Sequence, residues 1–171
     1  RELCLLLLLC LCLTACGAEN VPEETLPPVT EAPAETQAPT GSLTMGESLR
    51  AAFETQVAGG ETDLQALADG LLTQPVIQFA GASMPVEPGY LAGFTEEIHG
   101  FQEGVMFGPA IGSIPFVGYV FRVESDAEAF ADTLLEHADP RWNICTEADE
   151  TVCGSAENLV FFVMCSNESA E

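Results

Sequence analysis

From residue 43 onward, apolar positions first recur at helical spacing. Leu49, Ala52, Phe53 and Val57 fall on one stripe, which predicts a helix closed by Gly59-Gly60. Thr44-Met45-Gly46-Glu47 ahead of it has the form of a capping box, in which hydroxyl and carboxylate each accept the other residue's backbone N–H. Thr62-Asp63-Leu64-Gln65 has the same form, and Leu64, Leu67, Ala68, Leu71 and Leu72 then repeat as a second amphipathic helix that Pro75 stops. Residues 75–101 are rich in Gly and Pro and carry no clear period; a short helix is expected over Tyr90 to Ile98. Then the period falls to two. Glu103 to Gly108 and Phe116 to Glu124 read as paired strands, with Val117, Tyr119, Phe121 and Val123 on one face and Arg122 and Glu124 on the other. Ser125-Asp126-Ala127-Glu128 is a third capping box. The helix it opens carries Ala127, Phe130, Ala131, Leu134, Leu135 and Ala138 on its apolar stripe and stops at Asp139-Pro140. Glu150 to Cys153 and Leu159 to Cys165 make a last hairpin across a turn at Gly154 to Asn158.

This order of helix, helix, hairpin, helix, hairpin predicts an α+β domain. Its antiparallel sheet has about four strands in two hairpins, with a helix between them and two helices at the N-terminal side. The last strand is apolar on both faces, Leu159, Phe161 and Val163 on one and Val160, Phe162 and Met164 on the other, so both faces need a cover. The helix over 125–138 covers one. Val160, Phe162 and Met164, grouped with Phe116 and Val120, are expected to meet the two N-terminal helices through Leu49, Phe53, Leu67 and Leu71, giving three layers.

Ahead of this domain the pattern changes twice. Leu3 to Leu13 is an apolar run of 11 residues, too short for a bilayer core of ~30 Å. Small Thr14 and Ala15 then precede a cysteine. Leu13-Thr14-Ala15-Cys16 resembles the lipobox of bacterial lipoproteins, which implies a diacylglycerol thioether on Cys16 and cleavage that makes it the N-terminus. An ordinary secretory signal also fits the apolar run but does not need the cysteine. From Gly17 to Ser42 the chain is Pro, Glu, Thr and Ala, with only Val21, Leu26 and Val29 as large apolar residues. Such a stretch buries too little apolar area to offset its ordering entropy, and reads as a tether of up to roughly 80 Å at ~3.1 Å per residue. The expected layout is thus a signal peptide over 1–15, the lipidated cysteine and tether over 16–42, one globular domain over 43–168, and a disordered tail over 169–171.

Charge narrows the partners. The 171 residues carry 27 Asp and Glu against 4 Lys and Arg, a formal charge of −23. Past residue 15 only Arg50, Arg122 and Arg141 carry fixed positive charge. Nucleic acid, whose phosphates need Lys and Arg, is excluded as an expected partner, and so is a polybasic grip on anionic lipid. The expected contact is with the membrane, through lipid on Cys16, on its extracytoplasmic face. The tethered layout, the Glu96-Glu97-Ile98 and Gly118-Tyr119-Val120-Phe121-Arg122-Val123 stretches, the helix after Ser125 and the final hairpin together resemble small Gram-positive-type lipoproteins grouped as a domain of unknown function. The resemblance covers roughly residues 64–165 and implies fold and location; it implies no activity and no site residues.

Candidate chemistry is sparse. Cys145, Cys153 and Cys165 lack the Cys-x2-Cys pairs of zinc sites, and read as small apolar side chains or as one disulfide with a free thiol. His137 suits the last turn of a helix, where the macrodipole favours a cation, and His99 reads as a surface residue. Ser83 and Ser113 lack the Gly-x-Ser-x-Gly elbow. Glu147-Ala148-Asp149-Glu150 lacks the alternation and glycine of a calcium loop. No phosphate-cradling glycine loop opens a helix. No catalytic residue, cofactor or metal is expected. The uncharged run from Met106 to Val117 stands out in so acidic a chain. It reads as core or as a partner-facing loop, with Phe107, Ile111, Ile114, Phe116 and, beyond it, Trp142 as the candidate anchors. The functional expectation is a membrane-anchored, non-enzymatic binding or accessory module for a protein or small ligand. The alternative is a small extracytoplasmic hydrolase or thiol-redox enzyme using one of the three cysteines.

Overall fold

The computed structural model describes residues 43–111 and 114–166. The leader, Cys16, the tether and the 169–171 tail lie outside the described residues. Helices α1 (Met45–Ala58), α2 (Leu64–Leu72) and α3 (Ala127–His137) form where the apolar stripes stand. Each is started by a side chain that satisfies otherwise orphaned amides. Thr44 closes a full capping box with Glu47. At α2 the cap is Asp63, one residue later than the expected Thr62; its carboxylate accepts the Ala66 N–H at 2.8 Å. At α3 it is Asp126 in place of Ser125, accepting from Glu128 and Ala129 at 3.0 and 3.2 Å. In both cases the carboxylate sits at the last extended residue, where it reaches the first free N–H groups. The α3 stripe is also narrower than expected. Phe130 and Leu134 are buried, while Leu135 turns outward.

Strands β1 (Gly81–Val86), β4 (Phe101–Pro109), β5 (Val117–Val123), β6 (Glu150–Ala156) and β7 (Leu159–Cys165) build one antiparallel sheet in the order β1-β4-β5-β7-β6. The domain is α+β, with five strands where about four were expected. The extra strand, β1, is an exposed edge without apolar alternation, so its sequence carried no signal. The helix expected over Tyr90 to Ile98 is replaced by the two-residue strands β2 (Gly89–Tyr90) and β3 (Glu97–Ile98), which pair with each other. Tyr90, Leu91, Phe94 and Ile98 mimic a helical stripe. Gly93 breaks it: its φ is +94°, and a β-carbon there would stand 2.7 Å from the Met164 methyl.

Both sheet faces are covered. On one, Leu49 and Phe53 of α1 and Leu67 and Leu71 of α2 bury against Val105, Phe107, Val120, Phe161 and Val163, with Phe53 stacked on Phe161 at 5.6 Å. On the other, Phe130 and Leu134 of α3 bury with Tyr119, Phe121, Val160, Phe162 and Met164. The pairing register corrects the expected grouping of side chains. Val120 lies opposite Phe161 and Tyr119 opposite Phe162. Val160, Phe162 and Met164 therefore face α3, and Leu159, Phe161 and Val163 join Phe116 and Val120 under the N-terminal helices. A one-residue shift in register exchanges the two faces, and no turn residue in the sequence fixes it between β5 and β7, which are not joined in a hairpin. Gly118 lies opposite Phe107, and a β-carbon there would meet the phenyl ring at 2.3 Å. The missing side chain is what lets Phe107 lie flat in the core.

The strand directions bring several connections to one end of the sheet. Val117 at the start of β5 lies opposite Met164 near the end of β7, and Glu150 at the start of β6 lies opposite Cys165. The 110–116 connection and the 138–149 connection that follows α3 therefore share an end. The start of α1 is fastened there too. The Glu150 carboxylate accepts the Gly46 N–H at 3.1 Å and the Thr44 hydroxyl, so Leu43 lies at the same end.

Candidate functional site

The sheet end is built from two irregular connections held by backbone hydrogen bonds. In the longer one Trp142 N–H donates to the Asp139 carbonyl at 3.0 Å, Ala148 N–H to that of Pro140 at 2.9 Å and Asp149 N–H to that of Cys165 at 3.0 Å. Asp139 N–H reaches the Gly93 carbonyl at 2.8 Å and ties this connection to the 91–95 segment. That segment is itself pinned by the Tyr119 hydroxyl, which donates to the Ala92 carbonyl at 2.7 Å. Burial raises the Tyr119 pKa and keeps this phenol protonated.

The five expected anchors divide. Phe107 is fully buried, between Phe116 at 5.9 Å and Phe161 at 6.3 Å. Phe116 is buried against Phe79 at 5.0 Å. Both are core residues, because they lie on the sheet face that α1 and α2 cover. Trp142 is half-buried and packs against the α3-side core. Ile111, 90% exposed, and Ile114 stand in water on the 110–116 connection; Gly112 and Ser113 between them lie outside the described residues. Sequence reasoning missed Ile144, which is 99% exposed on the neighbouring connection. Its only signal was an apolar residue in Arg141-Trp142-Asn143-Ile144-Cys145 that belongs to no stripe.

Around Ile144 the loop folds into an open hollow of about 210 Å³, lined by Arg141, Asn143, Ile144, Cys145, Thr146 and Glu147. The Arg141 guanidinium pairs with Glu147 at 3.6 Å, and the Arg141 N–H donates to Asp139 at 2.9 Å. Cys145 is an exposed free thiol on this rim. The other two are sequestered. Cys153 lies half-buried beneath α3 with its thiol directed at the Ala131 carbonyl, and burial pushes its pKa up to about 12. Cys165 is buried with its thiol directed at Glu150, 3.6 Å away; burial, reinforced by the Glu150 charge and hydrogen bond, pushes it up to about 12. Thiols held this way are poor nucleophiles. The His99 ring pairs with Glu97 at 2.9 Å, and the backbone carbonyl of His137 accepts the Thr95 N–H at 2.9 Å. Ser83 donates to Asp69 and accepts from Gln65, which fastens edge strand β1 to α2.

Comparison of the chain with protein-family models, with curated proteins and with solved structures gives no match in any of the three.

Proposed function

We propose that this protein is a lipid-anchored, extracytoplasmic, non-enzymatic module that binds through the sheet end bearing Ile111, Ile114 and Ile144. The anchor half of the reading rests on the sequence: a leucine run, a lipobox-like Leu13-Thr14-Ala15-Cys16 and an acidic Pro/Thr tether. The binding half rests on one observation. The described residues include seven exposed large apolar side chains, and four of them, Leu43, Ile111, Ile114 and Ile144, lie at this one end. Scattered apolar exposure is ordinary, whereas grouped exposure marks contact surfaces.

Because only a thiol accepts the lipid, Cys16→Ser is the direct test of the anchor. Radiolabelled fatty acid should enter the wild type and not the variant, and the variant should leave the membrane fraction. Equal labelling of both would refute the anchor. The second reading, a thiol enzyme or small hydrolase, has in its favour exposed Cys145 beside Arg141 on the rim of the hollow. A Cys145→Ser variant that loses a measurable thiol-exchange activity toward a small disulfide would favour that reading over the binding module.

A further inference from the structure

We infer that the sheet end carrying Ile111, Ile114 and Ile144 rests on the surface of the bilayer that holds the lipid, so that the domain is oriented on the membrane instead of hanging free. This rests on the anchor reading above and adds a second, apolar contact to it. Two observations carry it.

The first is where the chain from Cys16 joins. The 26 residues between Cys16 and Leu43 connect to the domain at Leu43, and the Thr44 and Gly46 contacts with Glu150 hold that junction against the start of β6. The chain toward Cys16 therefore leaves the domain at the end with the exposed isoleucines. A chain of this length allows every separation from contact up to roughly 80 Å, and its short distances keep the bilayer at high effective concentration.

The second is the distribution of apolar side chains. Ile111 and Ile144 sit on two separate connections that the strand register brings to this end, with Ile114 and Leu43 beside them. None of the four packs into either core. Side chains projecting from loop tips suit shallow insertion among lipid headgroups, where the gain follows the apolar area removed from water.

The single tryptophan of the chain, Trp142, lies in the same loop as Ile144 and reports on the contact. The lipidated full chain is reconstituted into phosphatidylcholine vesicles with and without phosphatidylcholine spin-labelled just below its headgroup. Flotation reads the anchor, and Trp142 emission reads the docking. The wild type should float and lose emission to the spin label. The double variant Ile111→Ser with Ile144→Ser, altered only at exposed side chains, should float equally, melt unchanged and keep its emission. A floating wild type with unquenched Trp142 would overturn the docking, leave the anchor standing and hand the isoleucine end to a protein partner. Equal quenching of wild type and double variant would also overturn it. A chain that does not float would overturn anchor and docking together.

Discussion

Cys153 and Cys165 keep their protons because ionising either would place a thiolate where little water can reach it, and at Cys165 beside the Glu150 carboxylate as well. The consequence has a definite sign. An unfolded thiol ionises near pH ~8.5, while both folded thiols are pushed up to about 12. Between those values the unfolded state binds fewer protons than the folded one, so stability is complete below the lower value and lost as pH rises toward the upper. The denaturation midpoint should fall steadily above pH ~9, and Cys153→Ala with Cys165→Ala should flatten that slope. Of the three cysteines of the folded domain, a thiol reagent at pH 8 should modify Cys145 alone and reach the other two only after unfolding. Rapid native labelling of Cys153 would contradict the burial under α3. At this scale the sequence was only partly legible. It offered three cysteines with no way to rank them, since burial is decided by strand parity and by which helix lies overhead. The two phenylalanines proposed as anchors failed for the same reason. An uncharged loop and an uncharged strand end look alike until a register assigns Phe107 and Phe116 to a covered face.

Among the elements, the helices were the most legible because a stripe of period 3.6 and a cap act locally. Their first residues were placed one position early twice, at Thr62 and Ser125, because an aspartate follows the hydroxyl and takes the capping position. The distinction is measurable at α3. Asp126→Ala should cost about 0.5–2 kcal/mol by urea denaturation, and Ser125→Ala a few tenths at most. The reverse ranking would restore the expected capping box. Leu134 and Leu135 make the same comparison for the apolar stripe. Leu134 is fully buried and Leu135 is 45% exposed, so Leu134→Ala should cost on the order of 2–5 kcal/mol and Leu135→Ala under about 1. The strands were harder to read. β1 is an edge that shows most of its side chains to water, and its fifth residue, Pro85, is a common device for blunting such edges. The β2–β3 ribbon hid behind apolar spacing that only the backbone at Gly93 contradicts.

For the whole molecule the decisive feature is that β7 has no wet face and that Arg122 is the one residue of its neighbour β5 that is not buried. Every residue of β7 is buried, so a helical layer on each side is required for the strand to exist in water. That demand was readable in Leu159 to Cys165 taken alone; which side chains meet which layer was not. Deleting residues 43–60 removes α1 and bares Phe161 and Val163, and the truncated domain should aggregate or unfold. A truncated domain that stays monomeric and equally stable would show that α1 is no lid. The candidate binding end lay beyond sequence reading for a related reason. Ile111 and Ile144 are 33 residues apart in the chain, and only the return of α3 and the pairing of β6 with β7 bring their loops to one end.

The clasp of Glu150 on Thr44 and Gly46 has a mechanical consequence. A tug on the domain through residue 43 does not peel α1 off the sheet turn by turn, because the junction is already gripped by a side chain of β6. The force passes instead into β6, which is laddered to β7 from Glu150 opposite Cys165 to Ala156 opposite Leu159. Drawn lengthwise, that ladder resists in shear, with its bonds sharing the load, and a pull at residue 43 is taken up by the sheet before it reaches the helix packing.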